Sequence, residues 1–528
     1  MNNQQNKNKN QQSSYVWVSD QGDGTYKNPV LFADYSDPDV IRVGEDFFMI
    51  ASSFTSVPGL PVLHSKDLVN WRIVNYVVDR LPSPDYDRPA HGRGIWAPSI
   101  RYHAGKFWVF VGMPDEGIFM SNTTDPFGKW SPLVMVKEVK GWIDPCPFWD
   151  DDGQAYLVNA FAKSRIGFKN VLKISRMKPD GTGMLDEGEF IFDGSKDHPT
   201  TEGPKMYKRN GYYYIFAPAG GVATGWQLIL RSKNIYGPYE EKVVLHQGNT
   251  EINGPHQGGW VELESGESWF IHFQDRGAYG RIVHLQPVKW VDDWPLMGED
   301  VNGDGIGEPV LRWKKPNVGK EYPIAVPQTS DQFTSGKLGL QWQWQANPRP
   351  EWLSLDAHKA HLRLFTINPP AGSGGTLWET PNLLLQKFPA PIFSATTKFS
   401  FNPQSNGDQA GLVVIGGEYS ALVLCQTESG LKLRQYQGRC LKDEEQAEEV
   451  VLKEQDTCEI DLYFRVTIGE NAECQFSYST DGINFTPFGE KFLAGKGKWV
   501  GAKVGIFSLN SSKEKSSGYA DFDWFCVE

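Results

Sequence analysis

No run of about 18 apolar residues occurs anywhere in the chain, so the sequence offers no candidate membrane-spanning helix. Positive charge is in deficit. The 52 Lys and Arg against 64 Asp and Glu give a formal charge of −12, which argues against nucleic acid as partner, because such binding rests on cations neutralising phosphates. Cysteine is sparse and unevenly placed: Cys146 stands alone in the first half, while Cys425, Cys440, Cys458, Cys474 and Cys526 crowd the second. Their spacing fits neither a disulfide framework nor a zinc site, so free thiols are expected. The opening MNNQQNKNKNQQSS lacks the apolar core of a secretory signal, which leans the expectation toward the cytoplasm, and is too polar to pack, so residues 1–20 read as a disordered tail. Long helical stretches of Ala, Leu, Glu and Lys are also few.

What the chain has instead is Gly 54, Pro 34 and 13% aromatic residues, the composition of short strands joined by tight turns. The expected class is all-β. At 528 residues the chain exceeds what one hydrophobic core supports, so at least two domains are expected.

The first 300 residues carry a five-fold repeat, in which a polar or aromatic cluster precedes a Gly and an aromatic-rich strand. Its members are Asp37 in SDPDVIR, Trp96 in IWAPSIRYHAGKFWVFVG, Asp144 in IDPCPFWDDDGQAYLVNA, Glu202 in TEGPKMYKRNGYYYIFAPA and His256 in GPHQGGWVELESGESWFIHF. A unit of about 50 residues holding several strands is the signature of a propeller blade. Five units predict a five-bladed β-propeller over residues 21–312, with the lead residues converging at the central channel. Asp37, Asp144 and Glu202 would then bring three carboxyl groups together. Glycosidic bond cleavage without a cofactor needs one protonated carboxylic acid and one carboxylate, and a third carboxylate nearby raises the pKa of the acid.

The motifs NPVLFADYSDPDVIR, GIWAPSI, WIDPCPFWDDDG, TEGPK, GPHQGG and YGRIVHLQPV together resemble glycoside hydrolase family 43, the propeller enzymes with β-xylosidase and α-L-arabinofuranosidase activities. The resemblance covers nearly the whole chain. It implies Asp37 as general base, Glu202 as general acid and Asp144 as the residue that tunes and orients the acid. It further implies that Arg281 binds the terminal sugar and that Phe54 and Trp96 wall its pocket. The implied chemistry is inverting, exo-acting release of terminal xylose or arabinofuranose from xylo-oligosaccharide or arabinoxylan, with no cofactor required. His256 has two readings, a satisfied structural histidine or, as in some similar enzymes, a ligand of a structural or activating calcium ion in the channel. DVNGDGIGE resembles the start of a calcium loop but has Leu311 where a twelfth-position Glu belongs, and a plain turn is expected there.

WKKPNVGKEYPIAVPQTS, residues 313–330, is Pro-rich and charged like a linker. Beyond it, alternating strands such as LRLFTI, AGLVVIGG and VGAKVGIF predict a β-sandwich over residues 331–528. It resembles the concanavalin-like domain of many family 43 xylosidases, in which a loop closes one side of the active pocket. Asp521 and Asp523 there are candidate ion ligands or ordinary strand-end residues. Two rival functions are a retaining fructosidase, disfavoured because the middle Asp sits in IDP and the Glu in TEG, and a non-catalytic carbohydrate-binding protein, disfavoured by intact Asp37 and Glu202.

Overall fold

The computed structural model describes residues 15–369, 375–440, 447–512 and 515–528. It is an all-β molecule in which five four-stranded antiparallel sheets precede a sandwich of two larger sheets. Each blade is four consecutive strands in chain order. The innermost strands are Asp39–Val43, Trp96–His103, Trp142–Trp149, Lys205–Arg209 and His256–Glu262 for blades one to five.

Alternation along the strands builds the ring. Successive side chains point to opposite sheet faces, and in a propeller both faces of every blade meet another blade. Phe47 and Met49 thus pack toward blade five, against Val261 and Trp269, while Phe48 and Ile50 pack toward blade two, against Phe107 and Val109. Trp108 and Phe110 face blade three; Tyr156 and Val158 face blade four; Tyr214 and Phe216 face blade five. Five interblade cores follow from the doubled apolar strands, each fully buried aromatic contributing about 1.5–3 kcal/mol.

The ends of the propeller segment close the ring. Strand Thr25–Lys27 pairs with Arg312–Lys314, Leu31 bridges Val283 of blade five, and the Asn28 amide donates to Leu285 O and Val310 O. Two boundaries differ from the sequence expectation. Trp17 donates Nε1–H to Pro29 O and packs on Phe32, while Ser19 and Asp20 are buried, so residues 15–20 belong to the folded body; residues 1–14 lie outside the described residues. Val16 and Trp17 give this segment an apolar anchor directly after the polar run. Residues 313–330 do not run free: Trp313 and Lys314 belong to the closing strand, Lys315 pairs with Asp20, and Ala325 N–H donates to Asn70.

The sandwich has sheets of seven and eight strands around one core, and that core extends across the domain boundary to Phe32, Tyr279 and Ile282 of the propeller. Val57 bridges Trp344, Asn347 N–H donates to Tyr86 O, and Ala502 N–H donates to Ala278 O, so backbone bonds tie the two domains. Asp521 and Asp523 are engaged by protein cations. Arg363 and His358 hold Asp521; Lys398 and His361 hold Asp523. The Asp300–Gly305 segment is a turn in which the Asp300 carboxylate accepts the N–H groups of Gly303 and Gly305.

Candidate active site

One backbone feature recurs at the entry to each inner strand. Asp37, Ala97, Asp144, Gly203 and Gln257 have φ of 53°, 34°, 55°, 58° and 37°, and each precedes a Pro or, for Gln257, a Gly. Left-handed backbone costs a non-glycine residue about 1–2 kcal/mol and persists only where the surroundings enforce it. In blades two, three and five the pairing register also breaks here, at Trp96/Ser99, Ile143/Cys146 and His256/Gly258. Such a bulge re-aims side chains out of the ladder. It also corrects the repeat: Ala97, Gly203 and Gln257, not Trp96, Glu202 and His256, match Asp37 and Asp144. The lead motif holds two pocket-directed positions rather than one, and a sequence alignment merges them.

The result is a pocket of about 420 Å³ at the channel mouth, lined by Asp37, Phe54, Trp96, Ala97, Ile143, Asp144, Glu202, Gln257, Arg281 and Trp499. Six of the seven predicted site residues line it. The seventh, His256, is completely buried directly behind Glu202. Sequence reasoning named neither Gln257 nor Trp499. For Trp499 the one signal was the expectation that a sandwich loop closes the pocket.

The carboxyls occupy contrasting surroundings. Asp37 is buried and accepts three bonds at once: Ser36 Oγ–H (2.7 Å) and Ser52 Oγ–H (2.6 Å) on Oδ2, and Arg281 Nη1–H (2.9 Å) on Oδ1. Charge-assisted bonds of this kind favour an ionised acceptor. Asp144 accepts the Gly203 N–H at 2.7 Å, which ties blade three to blade four beside Glu202. Burial first, then the negative charges of Glu202 and Asp37, push the Asp144 carboxyl well above the usual carboxylate range, against the pull of that N–H. Glu202, whose side chain is 24% exposed, shares a 2.8 Å hydrogen bond with His256 Nε2. Of the three carboxyls it is the one that reaches the open pocket.

Arg281 is placed by its neighbours. Its N–H donates to Asp34, its Nη1 serves Ser36 and Asp37, and its guanidinium lies over Phe273, 4.7 Å from the ring centroid. Nε and Nη2 make no hydrogen bond to a described residue. Phe54 and Trp96 form one wall, 6.2 Å apart at the ring centroids, and Arg165 backs Trp96 at 5.1 Å. Trp499, on a loop of the sandwich, meets Trp96 edge-on at 6.2 Å and adds to the pocket lining. That loop is pinned where Gly501 N–H donates to Asp34 Oδ2 at 2.9 Å.

One donor atom bears on the calcium reading of His256. Its Nε2 is committed to Glu202, and its buried Nδ1 has no partner, so a cation that prefers six to eight oxygens would take the rest of its shell from water. Among the described residues no three His, Cys, Asp or Glu side chains gather where an ion could sit.

Comparison with known proteins bears on the whole chain. The profile of glycosyl hydrolases family 43 matches residues 26–295, and that of the beta-xylosidase C-terminal concanavalin A-like domain matches residues 330–528. A beta-xylosidase of Formosa agariphila is 36% identical over 96% of this chain and 91% of its own, and a non-reducing end alpha-L-arabinofuranosidase of Bacteroides ovatus is 28% identical over 95% and 94%. The crystal structure of a xylan beta-1,4-xylosidase from Bacillus halodurans superposes with a TM-score of 0.84 at 25% identity, covering 95% of this chain and 99% of that one. Because one profile spans the propeller that bears the carboxyls and the other spans the sandwich that closes their pocket, this chain belongs to glycosyl hydrolase family 43 and is a glycosidase.

Proposed function

We propose that the enzyme removes terminal β-D-xylose or α-L-arabinofuranose from xylan-derived oligosaccharides with inversion, Asp37 activating water and Glu202 protonating the leaving oxygen. The observation that carries this reading is the contrast between the two groups: Asp37 is fixed in a set of donors suited to a carboxylate, while Glu202 reaches the open pocket beside buried Asp144. Contrasting surroundings of this kind distinguish the base from the acid. The two also stand on blades one and four, which do not adjoin in a five-blade ring, as suits the wider separation of about 6.5–9.5 Å that leaves room for water.

Burial and the charges of Glu202 and Asp37 raise the Asp144 carboxyl, and the Gly203 bond holds Asp144 where it orients the acid. Arg281 pairs with the Asp37 carboxylate and offers its free donors to the sugar, while Phe54, Trp96 and Trp499 wall the pocket. A pocket closed in this way admits a chain end and not a chain middle. Terminal xylopyranose and arabinofuranose present similarly placed hydroxyls, so one pocket takes both, with discrimination of about 1–3 kcal/mol. The test is kcat/KM on nitrophenyl β-xyloside and α-arabinofuranoside beside nitrophenyl β-fructofuranoside. Turnover of both pentosides within about 200-fold of each other supports the reading; turnover of the fructoside alone, or of none, refutes it.

A further inference from the structure

The left-handed slot at each strand entry carries Asp37 in blade one, Ala97 in blade two, Asp144 in blade three, Gly203 in blade four and Gln257 in blade five. Two of the three polar occupants already have chemical roles in the proposed reaction. Gln257 is the third, and of the buried glutamines with an unpaired amide atom it is the one that lines the sugar pocket.

Its side chain is almost wholly buried, yet its amide makes no hydrogen bond to any described residue, and Oε1 is without a partner. An unpaired buried amide costs about 1–3 kcal/mol, and its backbone adds strain at φ 37°. Both costs fall on a residue that lines the sugar pocket. The side chain lies against Gly203, where a Cβ would sit 2.6 Å from Gln257 Cγ, so the glycine next to Glu202 makes room for it. Gln257 follows His256, the partner of Glu202, and precedes blade one in the ring, which puts its amide on the fifth-blade side between the acid and the base.

We infer that Gln257 is a substrate-binding residue whose amide, donor and acceptor together, pairs with a hydroxyl of the terminal pentose and thereby selects sugars carrying that hydroxyl. A sugar hydroxyl offers the complementary acceptor and donor, and its arrival satisfies a buried polar group in the pocket that the protein leaves unpaired. The inference rests on the proposed glycosidase reading of the same pocket, so its test includes binding as well as turnover.

Gln257→Gly removes the amide and, by relieving the strained φ, keeps the backbone; Gln257→Met keeps the volume and removes the polar atoms. D-xylose binding to the full chain is followed by the fluorescence of Trp96 and Trp499, with melting temperature alongside, and kcat/KM is measured on nitrophenyl β-xyloside and its 2-, 3- and 4-deoxy analogues. The expected result is xylose binding weaker by about 10-fold or more in both variants, a melting temperature for Gln257→Gly no lower than wild type, and a variant-to-wild-type deficit that vanishes on one deoxy analogue. Wild-type binding in both variants, a deficit of equal size on all three analogues, or loss of stability with binding intact overturns the inference and makes Gln257 structural. Wild-type turnover of no pentoside, with xylose still bound through Gln257, sinks the catalytic reading alone.

Discussion

Asp34 is the joint between the base and the lid. Its buried carboxylate accepts the Arg281 N–H on Oδ1 and the Gly501 N–H on Oδ2, both at 2.9 Å, joining the residue that holds Asp37 to the sandwich loop that carries Trp499. Asp34→Ala leaves two buried N–H donors without acceptors, at about 1–3 kcal/mol each. The share at Gly501 belongs to the loop, and about 1–3 kcal/mol raises the open population about 5- to 150-fold. Gly280→Ala tests the same joint from the other side. A Cβ there would sit 2.4 Å from Asp34 Cγ, at φ 73°, so the carboxylate is displaced without being removed. Hydrogen exchange at residues 497–502, followed by mass spectrometry, should accelerate in both variants by that factor while strand amides such as those of Lys503–Asn510 hold, and kcat/KM on nitrophenyl xyloside should fall with it. Exchange and kcat/KM both at wild-type levels in Asp34→Ala would show that the lid does not depend on this joint.

Glu202→Ala should retain far more activity on an activated aryl pentoside, whose leaving group needs no proton, than on xylobiose, whereas Asp37→Ala should lose both alike; equal losses across both variants and substrates contradict the roles. Asp144→Asn keeps an acceptor for the Gly203 N–H and removes the titrating carboxyl beside Glu202. The variant should gain stability relative to wild type as pH rises, because a carboxyl whose folded pKa is raised costs the fold stability from the unfolded pKa upward until it ionises in the fold; thermal scans from about pH 4 to 8 read the difference, and parallel profiles would contradict the raised carboxyl.

The propeller was legible because each blade buries both faces, and Phe47-Phe48 or Trp108-Val109 can only come from strands packed on two sides. The carboxyls were legible through the recurrence of Asp37-Pro38, Asp144-Pro145 and Glu202-Gly203 in successive repeat units, since any one such pair is ordinarily a turn. The lead position of blades two, four and five was not, because two adjacent residues stand at each strand entry and sequence carries no mark of which one takes the left-handed position. Trp499 was out of reach for another reason: it lies 462 positions from Asp37 in the chain, and only docking of the sandwich brings it to the pocket. The ligand reading of His256 came from the resemblance alone, and its contact with Glu202 could not be read from a position 54 residues away in the chain.

Whether water adds directly to the sugar with Asp37 as base, or Asp37 itself forms a covalent intermediate, decides between the inverting reaction and its retaining rival. Proton NMR of the first product formed from nitrophenyl β-D-xyloside, recorded before mutarotation, reads the outcome. Inversion predicts that α-D-xylopyranose appears first and the β-anomer grows in behind it; initial release of β-D-xylopyranose would contradict Asp37 as a general base.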